Sequence, residues 1–182
     1  MKRTLLFALT IPLLLTGCAA QQVTKDWETW REDLQGAEHL CFEAEVTAEW
    51  PDSAFTYTAK VETDAEETAV TLTAPATVAG VICRSRGEGD TLEYDGAILS
   101  LDALRTKTAA PCAAAPLLLD ALRRGRTLWT ARTEDGSSAA LENADGDTVT
   151  VWRGADGSPV YAEIAKDGAV ILTLRLAHWQ TE

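Results

Sequence analysis

The chain is short of basic residues, of histidine and of long apolar runs. Sixteen Lys and Arg stand against 28 Asp and Glu. With Lys2 and Arg3 set aside as part of the leader described below, fourteen basic residues remain, for a net charge near −14. So acidic a surface repels phosphate backbones and anionic headgroups alike. No nucleic-acid partner is expected, and no polybasic segment offers an electrostatic route to a membrane. There are two histidines and no CxxC. His39, Cys41, Glu43 and Glu45 share one parity, but ligands at i, i+2 and i+4 of a strand spread over about 13 Å, too far for one tetrahedral site. No metal is expected. There is no GxSxG, and Ser85, Ser100 and Ser137 have no base in register. The glycines at 87 and 89 lead into a strand, whereas a phosphate-binding loop opens a helix. Asn143, Asp145 and Asp147 surround Gly146 where a calcium loop needs its glycine later, and the closing glutamate is missing, so a hairpin turn is expected there. Neither an enzyme nor a cofactor site emerges.

The longest apolar run, Leu5 to Leu15, follows Lys2 and Arg3 and ends at small residues. That order predicts a secretory signal peptide, and the run is well short of the roughly twenty residues of a membrane-spanning helix. It stops at Leu15-Thr16-Gly17-Cys18, which resembles the lipobox of bacterial lipoproteins. The resemblance implies that residues 1–17 are removed and that Cys18 is the lipid-attachment site and new N-terminus, carrying palmitate-type acyl chains. Two such chains suffice for stable anchoring, at about 0.8 kcal/mol per buried methylene. The expected location is therefore the extracytoplasmic face of the cell membrane. Ala19 rather than Asp follows the anchor, so transfer to an outer membrane is allowed where one exists. Residues 18–24 form a short tether, and residues 25–182 a single domain.

Three cysteines remain after Cys18: Cys41, Cys83 and Cys112. They allow one internal disulfide in any of three pairings.

Trp27, Trp30 and Leu34 fall at i, i+3 and i+7 and predict a helix from Lys25 to Leu34, with Thr24 as N-cap and Gly36 as its end. From Leu40 the period becomes two. Leu40, Phe42, Ala44, Val46, Ala48 and Trp50 alternate with polar residues, then Phe55, Tyr57, Ala59 and Val61 do so after Pro51-Asp52-Ser53, predicting a hairpin. Further strands are expected at 68–73, 77–85, 91–94 and 97–99. The stretch 109–125 predicts a short apolar helix, with Pro116 in its first turn, Arg123 and Arg124 at its C-terminal dipole and Gly125 at C′. Strands resume at 126–133, 138–142, 148–153, 160–166 and 169–179. Asp135-Gly136, Asp145-Gly146, Asp156-Gly157 and Asp167-Gly168 supply tight-turn signals between them. The sum is a mainly β, α+β domain: a curved antiparallel sheet of about ten strands with an N-terminal helix and an inserted apolar helix over its concave face.

That order of elements over residues 25–182 resembles the bacterial lipoprotein-localisation factors of the LolA and LolB type, most specifically in "VTVWRGADGSPVYAEIAKDGAVILTLRLAHW". The anchor and "PLLLDAL" are also similar to the germination lipoproteins of the GerS group. The first resemblance implies an open half-barrel whose hydrophobic cavity accepts acyl chains, the second a protein partner such as a spore-cortex enzyme. A protruding, membrane-inserting loop is not evident. Ala69 to Ile82 is the nearest candidate, and strand, Pro turn, strand is the expectation there.

The residues expected to line such a cavity are Phe42, Val46, Tyr57, Val61, Leu72, Val149, Val151, Leu172 and Leu174 on the sheet, with Leu118, Leu119 and Leu122 opposite. An apolar set of this kind suits a lipid or acyl ligand. The alternative expectation is a module whose core is filled by its own side chains and which binds an envelope protein through its surface.

Overall fold

Alternation along Leu40–Trp50 places Phe42, Ala44, Val46 and Ala48 in the core and leaves Glu43, Glu45 and Glu49 in solvent. A strand with one apolar face needs a partner layer on that face. The computed structural model of the chain describes residues 21–50, 53–86, 89–100 and 113–182. The expected signal peptide, the lipobox-like stretch with Cys18, and Cys112 lie outside these residues.

Six strands precede the second helix: β1 (Leu40–Trp50), β2 (Ser53–Thr63), β3 (Glu67–Ala74), β4 (Ile82–Arg86), β5 (Gly89–Tyr94) and β6 (Ala97–Ser100). Five follow it: β7 (Arg126–Thr133), β8 (Gly136–Glu142), β9 (Thr148–Arg153), β10 (Pro159–Lys166) and β11 (Ala169–Thr181). Helix α1 covers 21–36 and helix α2 is Ala114–Arg124. All eleven strands form one sheet in the order β6-β5-β4-β3-β2-β1-β11-β10-β9-β8-β7. Every pairing is antiparallel. Two meanders are thus joined along β1 and β11, and β6 and β7 remain as open edges. The result is a curved half-barrel, as the sequence predicted, with both helices against its apolar face.

Several local expectations are corrected. Helix α1 starts earlier than Lys25, because Val23 continues the apolar stripe of Trp27, Trp30 and Leu34 and is itself buried. Thr24 is consequently inside the helix, its hydroxyl 2.7 Å from that of Thr130 on β7, rather than capping it. The expected strand 77–85 is a turn for its first half. The Pro75 carbonyl accepts from the Val78 and Ala79 amides, and Val78 and Val81 fold back onto the core. Gly125 ends α2 in an extended conformation (φ −60°, ψ 146°), not the left-handed one. Glycine is required there for room, since a Cβ would sit 2.5 Å from the Ala121 carbonyl oxygen. Of the four Asp-Gly turns expected after α2, Asp167-Gly168 alone has positive φ at both residues, and a fifth, Asp95-Gly96 between β5 and β6, does likewise. The turn at 143–147 is held by Asn143, whose Oδ1 accepts from the Asp145 and Asp147 amides at 3.0 and 2.9 Å.

One irregularity positions an aromatic ring. The β1–β11 register pairs Cys41 with Gln180 and Glu43 with Ala177, so Phe42 opposes two residues, His178 and Trp179. His178 takes φ 54° as the extra residue of this bulge. Strict alternation after Leu172, Leu174 and Leu176 would turn His178 inward. The bulge instead leaves it exposed, 4.0 Å from Glu43, and brings Trp179 against the core.

Cys83 is disulfide-bonded and Cys41 is free, which excludes both pairings that use Cys41.

Candidate ligand-binding site

The cross-strand register builds the concave face in rows. One runs Tyr57, Val46, Leu174, Ala162, Val151, Ala139, and the next runs Phe55, Ala48, Leu172, Ile164, Val149, Leu141. A third joins Phe42, Val61 and Val70. Above them α2 presents Ala114, Ala115, Leu118, Leu119, Ala121 and Leu122. Small residues in the rows, among them Ala48, Ala139 and Ala162, leave depth for the leucines.

All twelve residues expected to line a cavity belong to this one buried cluster. Each is between 0 and 3% exposed, buried between the sheet and the helices. Sequence reasoning missed Ile164 and Leu141, equally buried members of the same rows. Their membership depends on strand register, which no single strand reveals. Burial pushes the Tyr57 phenol above its ordinary pKa.

Helix α1 closes the rim of this face with aromatic rings and two arginines. Trp27 and Trp30 meet edge to face at 5.4 Å, Trp30 lies 6.3 Å from Trp179, and Trp179 stacks on Phe42 at 4.7 Å. The Arg153 guanidinium, at the end of β9, lies over both α1 indoles, at 5.0 Å from Trp27 and 4.5 Å from Trp30. Its Nε donates to the Gly157 carbonyl at 2.6 Å. Burial lowers its pKa, with Asp26 and Asp156 opposing the shift.

Arg31 ties α1 to the end of α2. Its Nε donates to the Leu122 carbonyl at 2.6 Å, Nη2 to the Gly125 carbonyl at 2.6 Å, and Nη1 to the Thr127 hydroxyl at 3.0 Å. Gln35 donates to the Arg123 carbonyl at 2.6 Å. The last carbonyls of a helix have no intrahelical partner and carry its negative pole. A guanidinium from another helix satisfies both needs. The pattern Trp27, Trp30 was legible as an apolar stripe, whereas Arg31 and Arg153 carried no local signal because their partners are about ninety or more residues distant along the chain in one case and on a different element in the other.

Among the described residues, two buried side-chain polar atoms have no hydrogen-bond partner: Nε1 of Trp27 and Nε1 of Trp179. A buried N–H left unpaired costs roughly 1–3 kcal/mol. Both sit at the α1 end of the core. The clefts found elsewhere are of another kind. One of about 380 Å³ is lined by His39, Cys41, Glu62, Asp64, Glu67, Arg84 and Glu182 among others, and one of about 360 Å³ by Gln35, Asp64, Arg123 and Arg124 among others. Neither includes any of the twelve residues. No helix among the described residues is long and apolar enough to cross a membrane.

No protein-family model matches the chain, and no curated protein matches it. Solved structures do. A putative outer membrane lipoprotein-sorting protein domain from Vibrio parahaemolyticus superposes with a TM-score of 0.51 at 10% identity, over 86% of this chain and 91% of that one. A DUF1329 family protein from Desulfovibrio piger gives 0.50 at 10% identity, over 86% and 91%. A LolA superfamily protein from Nitrosomonas europaea gives 0.46 at 14% identity, over 80% and 87%. At these identities the likeness is one of fold. The chain shares the fold of the Vibrio and Desulfovibrio domains, an open antiparallel half-barrel.

Proposed function

We propose that the protein is a membrane-anchored extracytoplasmic lipoprotein that holds a hydrophobic, acyl-chain ligand between its sheet and α2, without catalysing a reaction. The observation that carries this reading is the seat of α2. The helix meets the concave face through alanine and leucine side chains, while the polar ties described for α1 run along the rim, from Arg31 and Gln35 to the end of α2 and from Thr24 and Arg31 to β7. An acyl chain entering under α2 exchanges one apolar contact for another, so displacement of the helix exposes little apolar surface to water. The unpaired indole N–H groups of Trp27 and Trp179 offer donors to an ester or carboxylate at the end of such a chain. A lipoprotein-sorting fold and an N-terminal lipobox point to the same ligand chemistry.

The anchor is tested separately. The variant Cys18→Ala is expected to lose metabolic labelling by a fatty acid and to leave the membrane fraction. Retention of the label, or of membrane attachment after processing, would contradict lipidation at Cys18.

A second reading, a module that binds an envelope or spore-cortex enzyme, is favoured by a different observation. Edge strand β6 and its neighbour expose Ile98, Leu99 and Tyr94 at 66, 61 and 49%. An open apolar edge is a template for an added strand.

A further inference from the structure

We propose that Leu128 and Trp129, on edge strand β7, seat the domain in the headgroup layer of the membrane that holds Cys18. The inference rests on the lipid anchoring proposed above and adds which face of the half-barrel meets the bilayer.

The tether is short. Only residues 19 and 20 separate Cys18 from the helical residues at 21–36. Three extended steps and three helical rises place the Thr24 backbone within about 15 Å of the lipidated residue. Thr24 is hydrogen-bonded to Thr130 at 2.7 Å, and Arg31, two turns on, to Thr127 at 3.0 Å. Helix α1 is therefore fastened along β7, and this edge of the sheet stands next to the bilayer surface. The opposite edge, with Tyr94, Ile98 and Leu99, is separated from β7 by the full width of the sheet.

The side chains on β7 suit that position. Thr127 and Thr130 turn toward α1 and are half-buried. Between them the β7–β8 register shifts, pairing Thr127 with Leu141 and Trp129 with Ala140, so Leu128 is the extra residue of a bulge. The bulge leaves two large apolar side chains exposed in succession, Leu128 at 39% and Trp129 at 47%. Tryptophan is the side chain enriched at the membrane–water interface, where its ring lies among headgroups and its N–H stays wet. Arg126 on the same strand is ion-paired with Glu142 at 3.0 Å. On α1, β7 and the turn after it, the exposed Lys25 and Arg132 are outnumbered by the exposed Asp26, Glu28, Glu134 and Asp135. Charge therefore supplies no net attraction to an anionic surface, and the contact rests on the indole and the leucine.

The test uses the full-length lipidated protein on vesicles of phosphatidylethanolamine and phosphatidylglycerol, with and without phospholipid brominated near the headgroup end of its acyl chains. Bromine quenches tryptophan at contact range. The expected result is bromolipid-dependent quenching in the wild type that is lost in Trp129→Phe, while both proteins float with the vesicles. Quenching that persists unchanged in Trp129→Phe means that another face meets the bilayer and overturns the proposal. So does a protein that floats but shows no quenching, because the domain then stands clear of the surface. A protein that fails to float overturns the anchoring itself, and the seating with it.

Discussion

Arg31 is the residue on which most of the rim converges. It reaches from α1 to the Ala121, Leu122 and Gly125 carbonyls at the end of α2 and to a hydroxyl on β7, and burial lowers its pKa while Glu28 opposes the shift. Hydrogen bonds from a charged donor contribute about 1.5–3 kcal/mol each when both groups are withdrawn from water, and less where solvent competes, as here. The variant Arg31→Ala is expected to lower stability by about 2 kcal/mol in chemical denaturation. Arg31→Lys is expected to recover only part of this, because an ammonium does not reproduce the planar fork that spans these acceptors. Full recovery by lysine would mean that charge near the helix end, not geometry, is what matters. Neither Arg31 nor Arg153 was legible beforehand. A surface arginine and a rim arginine look the same in sequence, and only the approach of α1 to β7 and β9 distinguishes them. His178 shows the same limit from another direction. Its parity pointed inward, and a bulge at φ 54° sends Trp179 there instead.

At the scale of elements, the strands were readable wherever one face is buried and the other wet, as in Leu40–Trp50 and Ser53–Thr63. They were misread at 77–81, where a Pro-initiated turn carries valines that fold back onto the core and so imitate alternation. The β2–β3 connection is the element with a distinct acid response. The Asp64 carboxylate accepts from the Glu66 and Glu67 amides at 2.8 Å, which lowers its pKa. Burial of Glu67 works to raise its pKa, but hydrogen bonds and ion pairs with Arg84 and Arg86 prevail and lower it. Both groups therefore add stability that is fully present above the ordinary carboxylate range and is lost as pH falls through their lowered values. The protection of the amides at 64–67, measured against their intrinsic exchange rates at each pH, is expected to hold at neutral pH and to fall below about pH 4, ahead of that of the β8–β9 connection, which Asn143 holds without a titratable acceptor. Simultaneous loosening of both turns would refute a local carboxylate origin.

For the molecule as a whole, eleven strands in one antiparallel sheet, open at β6 and β7, enclose a core that α1 and α2 cover. The fold class was legible because period-two alternation, Asp-Gly turns and an inserted apolar helix all agree. Whether the concave face is a site or only a core was not, since the same leucines and valines serve either role. The central claim is that α2 yields this face to an acyl chain. Native mass spectrometry of residues 19–182, exported without the anchor and purified without detergent, tests it most directly. The expected result is a co-purifying mass that departs on collisional activation and matches a lipid. A bare protein mass, unchanged after incubation with lipid, would contradict it and leave the half-barrel as a scaffold for its surface.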